Sequence, residues 1–149
     1  MIVLELPIDP IPWTAPRLSR HHAYDPKEKD KRAIRYLVKQ QYELPPIDGY
    51  CSLFFLFYYK IPKSASKATR AKMLSGEIIP TKSDCTNCQK LFEDCLKKIV
   101  IVDDRNVEVI GSRKMYAEKG HVTIRILKSE EYKHLLGNEP YPSSAACKL

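Results

Sequence analysis

Apolar and polar positions follow two periods along this chain, and the switches between them mark its elements. Residues 2–6 are a short, mostly apolar run that predicts a strand. Pro7, Pro10, Pro12 and Pro16 then hold the chain extended through residue 17, because each fixes its own φ and biases the residue before it. Asp25-Pro26 predicts a helix start, with Asp25 as cap and Pro26 at the first helical position. That helix runs to about Tyr42, with Ile34, Leu37, Val38 and Gln41 on one face. Pro45-Pro46 and Asp48-Gly49 end it in a turn. Cys51–Lys60 is apolar and aromatic at successive positions. Such a strand is central in a sheet, or a second subunit covers it. Ser66–Leu74 reads as partly helical, and Asp84–Lys98 as a second long helix. Ile99–Val102 is a short apolar strand or turn, stopped by Asp103-Asp104. Val107–Tyr116 and His121–Leu127 predict strands joined as a hairpin across Glu118-Lys119-Gly120. The pattern is α+β: a small mixed sheet with two main helices in one domain over residues 1–128. A short helix from Ser129 to Leu136 and a mobile tail are expected over residues 129–149.

Composition narrows what such a domain does. The chain has 149 residues, enough for one core and too few for two. Its longest dense apolar stretch, Cys51–Tyr59, falls far short of the ~20 residues that span a bilayer, so no membrane partner is expected. Met1–Pro7 has neither the basic nor the long apolar region of a secretory signal. Five cysteines, an odd number, then favour reduced thiols and a cytoplasmic location over a disulfide framework.

The net charge of +7 favours a polyanionic partner, and its distribution says more than its size. Residues 60–82 hold Lys60, Lys63, Lys67, Arg70, Lys72 and Lys82, with Glu77 as the only acid and Ser64, Ser66 and Thr69 between the bases. Arg17, Arg20, His21 and His22 form a second basic group in an exposed loop. Cations interleaved with hydroxyls suit phosphate contacts; a solvated surface is the plainer reading. The five glycines are isolated, so there is no Gly-rich phosphate loop. Trp13, among prolines, packs the N-terminal arm or wedges into a polyanionic partner.

The segment Asp84–Lys98 carries most of the chemistry. At about 100° per residue, Cys85, Cys88, Leu91, Phe92, Cys95 and Leu96 fall in one sector. Asn87, Lys90 and Asp94 fall beside it, and Asp84 stands at the helix start. Cys85-x-x-Cys88 invites a zinc reading, but a structural zinc site takes four ligands, and the thiols share the apolar stripe. Buried free cysteines are the favoured reading. Asp84 and Asp103-Asp104 are either a cap and a turn, or carboxylates gathered in a basic protein. The second arrangement calls for a divalent cation, and hard oxygen donors suit Mg²⁺ or Mn²⁺.

These residues resemble the signature of the RusA family of Holliday junction resolvases. That family has Asp-x-Asp-Asn-x-x-Lys opening a helix, a later Asp in the helix, and an Asp-Asp pair beyond it. Here the positions read Asp84, Cys85, Thr86, Asn87, Cys88, Gln89 and Lys90, then Asp94, then Asp103-Asp104. Pro10-x-Pro12, Pro16-Arg17 and Tyr24-x-Pro26 are similar to the family's proline- and arginine-containing approach to its first helix. The likeness covers roughly residues 3–127, in the same order and with similar spacing.

The resemblance implies a RusA-like homodimer that nicks paired strands of a four-way DNA junction with Mg²⁺, or Mn²⁺. It implies Asp84 and Asp104 as metal-binding catalytic carboxylates, with Asp103 beside them. Lys90 is then the cation at the scissile phosphate and Asn87 orients the site. Arg17, Arg20, Lys63, Lys67, Arg70 and Lys82 are the expected DNA contacts. Thr86 stands where the family has its second Asp, and brings a hydroxyl but no charge. Asp103, Asp94 and Glu93 are the acids available in its place. The departure keeps open a junction- or duplex-binding protein that has lost cleavage. A zinc-binding interaction protein built on Cys85, Cys88 and Cys95 is the third reading.

Overall fold

A computed structural model describes residues 1–131. In chain order the elements are β1 (Ile2–Leu6), β2 (Arg17–Leu18), β3 (Ala23–Tyr24), α1 (Glu28–Gln41), β4 (Cys51–Lys60), α2 (Lys67–Leu74), α3 (Cys85–Leu96), β5 (Val107–Ala117) and β6 (His121–Lys128). The expected C-terminal helix begins at Ser129–Glu131, and its continuation and the tail lie outside the described residues. No helix among the described residues is long and apolar enough to cross a membrane.

The sheet is four-stranded and mixed, in the order β1-β6-β4-β5. β4 pairs parallel with β5 and antiparallel with β6, and β6 pairs antiparallel with β1. β4 is therefore central, as its two-sided apolar pattern requires. The expected β5–β6 hairpin does not form, because β4 is inserted between these strands. The short link 118–120 instead crosses the end of β4, bridging the two interstrand spacings of ~4.8 Å each. Two partners satisfy β4 on both edges, whereas β5, with half-buried and exposed positions along its length, takes the sheet edge.

One face of the sheet carries the core. Leu53, Phe55 and Phe57 of β4 stand opposite Ile126, Ile124 and Val122 of β6, with Leu4 and Leu6 of β1 beyond them. All are fully buried, as are Ile34 and Val38 of α1 and Cys88, Leu91, Phe92, Cys95 and Leu96 of α3. The Phe57 ring lies 5.7 Å from that of Phe92, which fixes α3 across β4. The expected apolar sector of α3 is thus the buried one, and both Cys88 and Cys95 are inside it. Burial pushes the Cys95 thiol up to about 12. The other face of β4 presents Phe54, Leu56 and Tyr58, each half-buried.

Three local expectations change. The helix α1 starts at Glu28 rather than at Pro26, and Lys27 caps it without a side-chain bond. Asp25 instead accepts from the Lys27 N–H at 2.8 Å and from Lys31 Nζ at 2.8 Å. One carboxylate oxygen thus holds the main chain just before the helix, and the other pairs with an ammonium on the helix itself. The basic loop after Arg17 is a small hairpin, with Arg17 opposite Tyr24 and Leu18 opposite Ala23. Gln41, expected on the packed face of α1, is exposed. Its amide bonds the main chain of Glu5 twice, at 2.9 and 2.7 Å, and so occupies part of the free edge of β1.

Candidate active site

The N-terminus of α3 is built by its own sequence. Asp84 is the cap, and its Oδ1 accepts from the Asn87 N–H at 2.7 Å. Asn87 Nδ2 donates to the other carboxylate oxygen at 3.1 Å, so one side chain orients the other. Ser83, just before the cap, has φ of 52°, a left-handed conformation that costs a non-glycine residue energy. Lys114 Nζ of β5 donates to its carbonyl at 2.9 Å and helps hold that turn. Thr86 lies in the first turn with its side chain in solvent. Beneath the turn, Tyr59 Oη lies 3.4 Å from Cys88 Sγ, and burial raises the pKa of both groups. A cavity of about 270 Å³ opens beside Ser83, lined by Tyr59, Lys60, Lys82 and Tyr116.

The proline arm closes over this end. The Trp13 N–H donates to the Asn87 carbonyl at 2.9 Å, and Lys90 Nζ lies 3.7 Å above the Trp13 ring centroid. The structure therefore brings together Asp84, Thr86, Asn87 and Lys90 on one end of α3, with Trp13 packed against them. Trp13 packs the arm, the first of its two expected roles.

A second group of charges stands at the other end of α3. Segment 97–102 folds back there: Lys98 takes φ of 62°, and Ile47 bonds Val100 and Val102. This return places Asp104 Oδ2 2.7 Å from Lys97 Nζ, which also reaches Asp94 at 3.2 Å. Lys31, nearly buried, bridges Asp94 at 3.8 Å and Asp25 at 2.8 Å. The result is a chain of alternating charge from Asp25 to Asp104. The bond from Asp104 holds the Lys97 ammonium above its ordinary pKa. Glu93 sits next to this chain, and burial, with Asp104 close by, raises its carboxyl pKa. Asp103 caps the short turn Asp104–Asn106 and takes three bonds from Arg105, which hold its carboxyl far below the usual range.

Asp84 and Asp104 therefore do not meet within one chain. The twelve residues of α3 lie between them, ~18 Å at 1.5 Å per residue. The oxygen donors are the right kind for a hard divalent cation. Their placement does not fit one: Asp84 is engaged by Asn87, Asp104 by Lys97 and Asp103 by Arg105. No group of three or more His, Cys, Asp or Glu among the described residues is arranged to hold a metal. Of the acids considered in place of the missing carboxylate at position 86, Glu93, Asp94 and Asp103 all stand at the Asp104 end.

The expected DNA contacts lie on three other segments. Arg17 opens the β2–β3 hairpin and Arg20 is in its turn, both exposed. Lys63 precedes α2, Lys67 is its first residue, and Lys82 lines the cavity near Asp84. Arg70 is ion-paired with Glu118, whereas the other five form no ion pair among the described residues. The N-cap of α2 is Ser66, which accepts from the Thr69 N–H, so this hydroxyl serves the helix.

Sequence reasoning overlooked Lys31, Lys97 and Lys114. Lys31 was legible in principle, since it shares the 31-34-38 stripe of α1 with two core residues, and Lys97 follows Asp94 at i,i+3. Lys114 gave no signal, because its partner is a main-chain carbonyl thirty-one residues away.

No curated protein matches the chain. The family model described as endodeoxyribonuclease RusA matches residues 7–127, a span that holds the proline arm, both ends of α3, and β4, β5 and β6 of the sheet, without β1 or the last residue of β6. On that match, the chain belongs to the RusA endodeoxyribonuclease family.

Proposed function

We propose that this protein is an endodeoxyribonuclease that resolves four-way DNA junctions by phosphodiester hydrolysis, acting in recombination and repair. The observation that carries the reading is the family match together with Asp84, Asn87 and Lys90 on one exposed helix end. Lys90 is exposed and makes no ion pair among the described residues, so its ammonium is free to meet a phosphate oxygen. A fixed cation there stabilises the charge that builds up as the phosphodiester is attacked. Asn87 keeps the Asp84 carboxylate in one orientation, and Thr86 offers a hydroxyl beside it. Arg17, Arg20, Lys63, Lys67 and Lys82 track the strands, with Arg70 engaged once it leaves Glu118.

RusA-family nucleases depend on a divalent metal, and Mg²⁺ or Mn²⁺ is the cofactor proposed here. Mg²⁺ is commonly held by one or two carboxylates plus substrate phosphates rather than by a closed protein cage. A metal held in that mode would use Asp84, at the exposed helix end, together with the substrate phosphates. The proposed assembly is a homodimer, because paired sites match the two equivalent strands of a junction. Its support is Leu56, an apolar residue half-buried on the face of β4 away from α1 and α3. Free cysteines at 51, 85, 88 and 95 suit action in the cytoplasm.

The test is a synthetic four-way junction incubated with the protein and Mg²⁺ or Mn²⁺. Symmetric nicks are expected, and D84N is expected to lower their rate by ~100-fold or more, in the range for loss of a catalytic group, with junction binding retained. Thr86 favours one second reading, a junction-binding protein without cleavage. Binding with no cleavage at any concentration of either metal would select it.

A further inference from the structure

We propose that Trp13 is a positioning residue for the reaction, holding the Lys90 ammonium at a fixed point over the N-terminal half of α3; this rests on the reading of Lys90 as the cation at the scissile phosphate. Lys90 is a long, exposed side chain with no carboxylate partner among the described residues. Left alone it would sample many rotamers and lose part of its effect on a single phosphate. An acidic partner would restrain it but would also neutralise the charge that a phosphate needs. The face of an indole restrains an ammonium through the ring's quadrupole and leaves its full positive charge in place. The distance of 3.7 Å from Nζ to the ring centroid is well inside the ~6 Å reach of that attraction.

The ring is itself fixed. Its backbone N–H is bonded to the Asn87 carbonyl at 2.9 Å, so Trp13 is tied to the same helix as Lys90. Its side chain is half-buried and packs against the core. Upstream, Ile8 N–H bonds Leu6 at 2.8 Å, and Asp9 lies so close to Gly120 that a Cβ at Gly120 would collide with it. The arm thus meets the rest of the fold at Gly120 and at Asn87, on either side of the indole's approach to Lys90. The same arm continues directly into the hairpin with Arg17 and Arg20.

Trp13 is the chain's single tryptophan, which permits a test that changes the ring's electrostatics without changing its shape. Replacing it biosynthetically with indoles of increasing fluorine content drains the ring face step by step. The expected result is a stepwise fall in kcat, ~2- to 5-fold over the series, as befits an exposed cation–π contact, with KM for the junction and the thermal midpoint unchanged. W13F is expected to retain more of kcat than W13L. By NMR, the Lys90 ε-methylene protons are expected to be shifted upfield by the ring, and W13L is expected to abolish that shift. A buried residue that only supports the fold would change the thermal midpoint and leave the fluorine series flat. A flat series with an inactive K90Q overturns the proposal alone; K90Q cutting at the wild-type rate overturns the reading of Lys90 and the proposal with it. Should W13L not fold, the fluorinated proteins decide the matter.

Discussion

Thr86 occupies the second helical position of α3, two residues after the cap Asp84, with its side chain in solvent. Two effects act on a carboxylate placed there. The unpaired N–H groups and dipole of the helix start favour it by ~0.3–1 kcal/mol, and repulsion from Asp84 offsets part of that gain. T86D is therefore expected to change stability by less than about 1 kcal/mol. It adds a hard, charged donor to the helix end where the family carries one. Mn²⁺ affinity, measured by titration calorimetry, is expected to rise by about tenfold, since such affinities follow the number of charged ligands. An unchanged affinity would remove position 86 from the cation's surroundings. Asp25 shows the opposite economy, a carboxylate whose place is set by its partner. The Lys31 bond lowers its pKa in the folded protein. Because the folded value lies below the unfolded one, this pair stabilises the fold above the ordinary carboxylate range, and the contribution disappears as pH falls through the folded value. D25N is expected to flatten the acid limb of the stability curve, read as thermal midpoint against pH, relative to wild type. Parallel acid limbs would show that the ion pair adds nothing to the fold.

At the scale of the element, α3 joins a structural duty to a chemical one at the same residue. Asp84 caps the helix through the Asn87 N–H and also belongs to the proposed site. D84A is expected to cost ~1 kcal/mol, the usual loss of a good cap, whereas D84N caps almost as well as Asp. Comparing the two by chemical denaturation and by junction cleavage separates the duties. D84N is expected to keep wild-type stability and lose activity, and equal destabilisation of both variants would show that the cap has no part in it. Much of α3 was legible because its information is local: the cap, the 3.6-residue apolar sector and the thiols within it all follow from neighbours in sequence. The start of α1 was not, although Asp25-Pro26 has the composition of a helix start. There the Asp25 carboxylate bonds the Lys27 N–H, before the first helical residue, and also a lysine six residues on, a pairing that propensity rules for a cap do not weigh. The site divides in the same way. The grouping of Asp84, Asn87 and Lys90 follows from helix spacing. The Lys97 bond that holds Asp104 at the far end of α3 depends on how segment 97–102 folds back, and no local rule gives that.

Over the whole molecule, the apolar pattern of β4 demanded two things, and the described residues supply both edges and one face. Pairing with β5 and β6 satisfies both edges, and α1 and α3 cover the face that carries Leu53, Phe55 and Phe57. The hairpin expected from β5 and β6 failed because a sequence shows that two strands are consecutive, not that a third, distant in the chain, lies between them. The remaining face is where a second copy is expected to sit. Leu56 is its middle residue, opposite Arg113 on β5 and Thr123 on β6. A two-fold contact there places like residues against like near the axis. A stable dimer of this kind buries ~1,200–2,000 Å² in total, about what a four-stranded sheet face provides. L56E puts a carboxylate at the centre of that contact, where in the dimer it faces its own copy and in the monomer lies half-buried between Arg113 and Thr123. The variant is therefore expected to keep the thermal midpoint of an isolated subunit but to run as a monomer in light scattering. It should still bind junctions, more weakly, because half of the basic surface is lost at each encounter. Simultaneous cutting of two strands should disappear while single nicks persist, since each helix end keeps its Asp84 and Lys90. If L56E remains dimeric, the second copy sits elsewhere, and Leu56 on β4 needs another explanation.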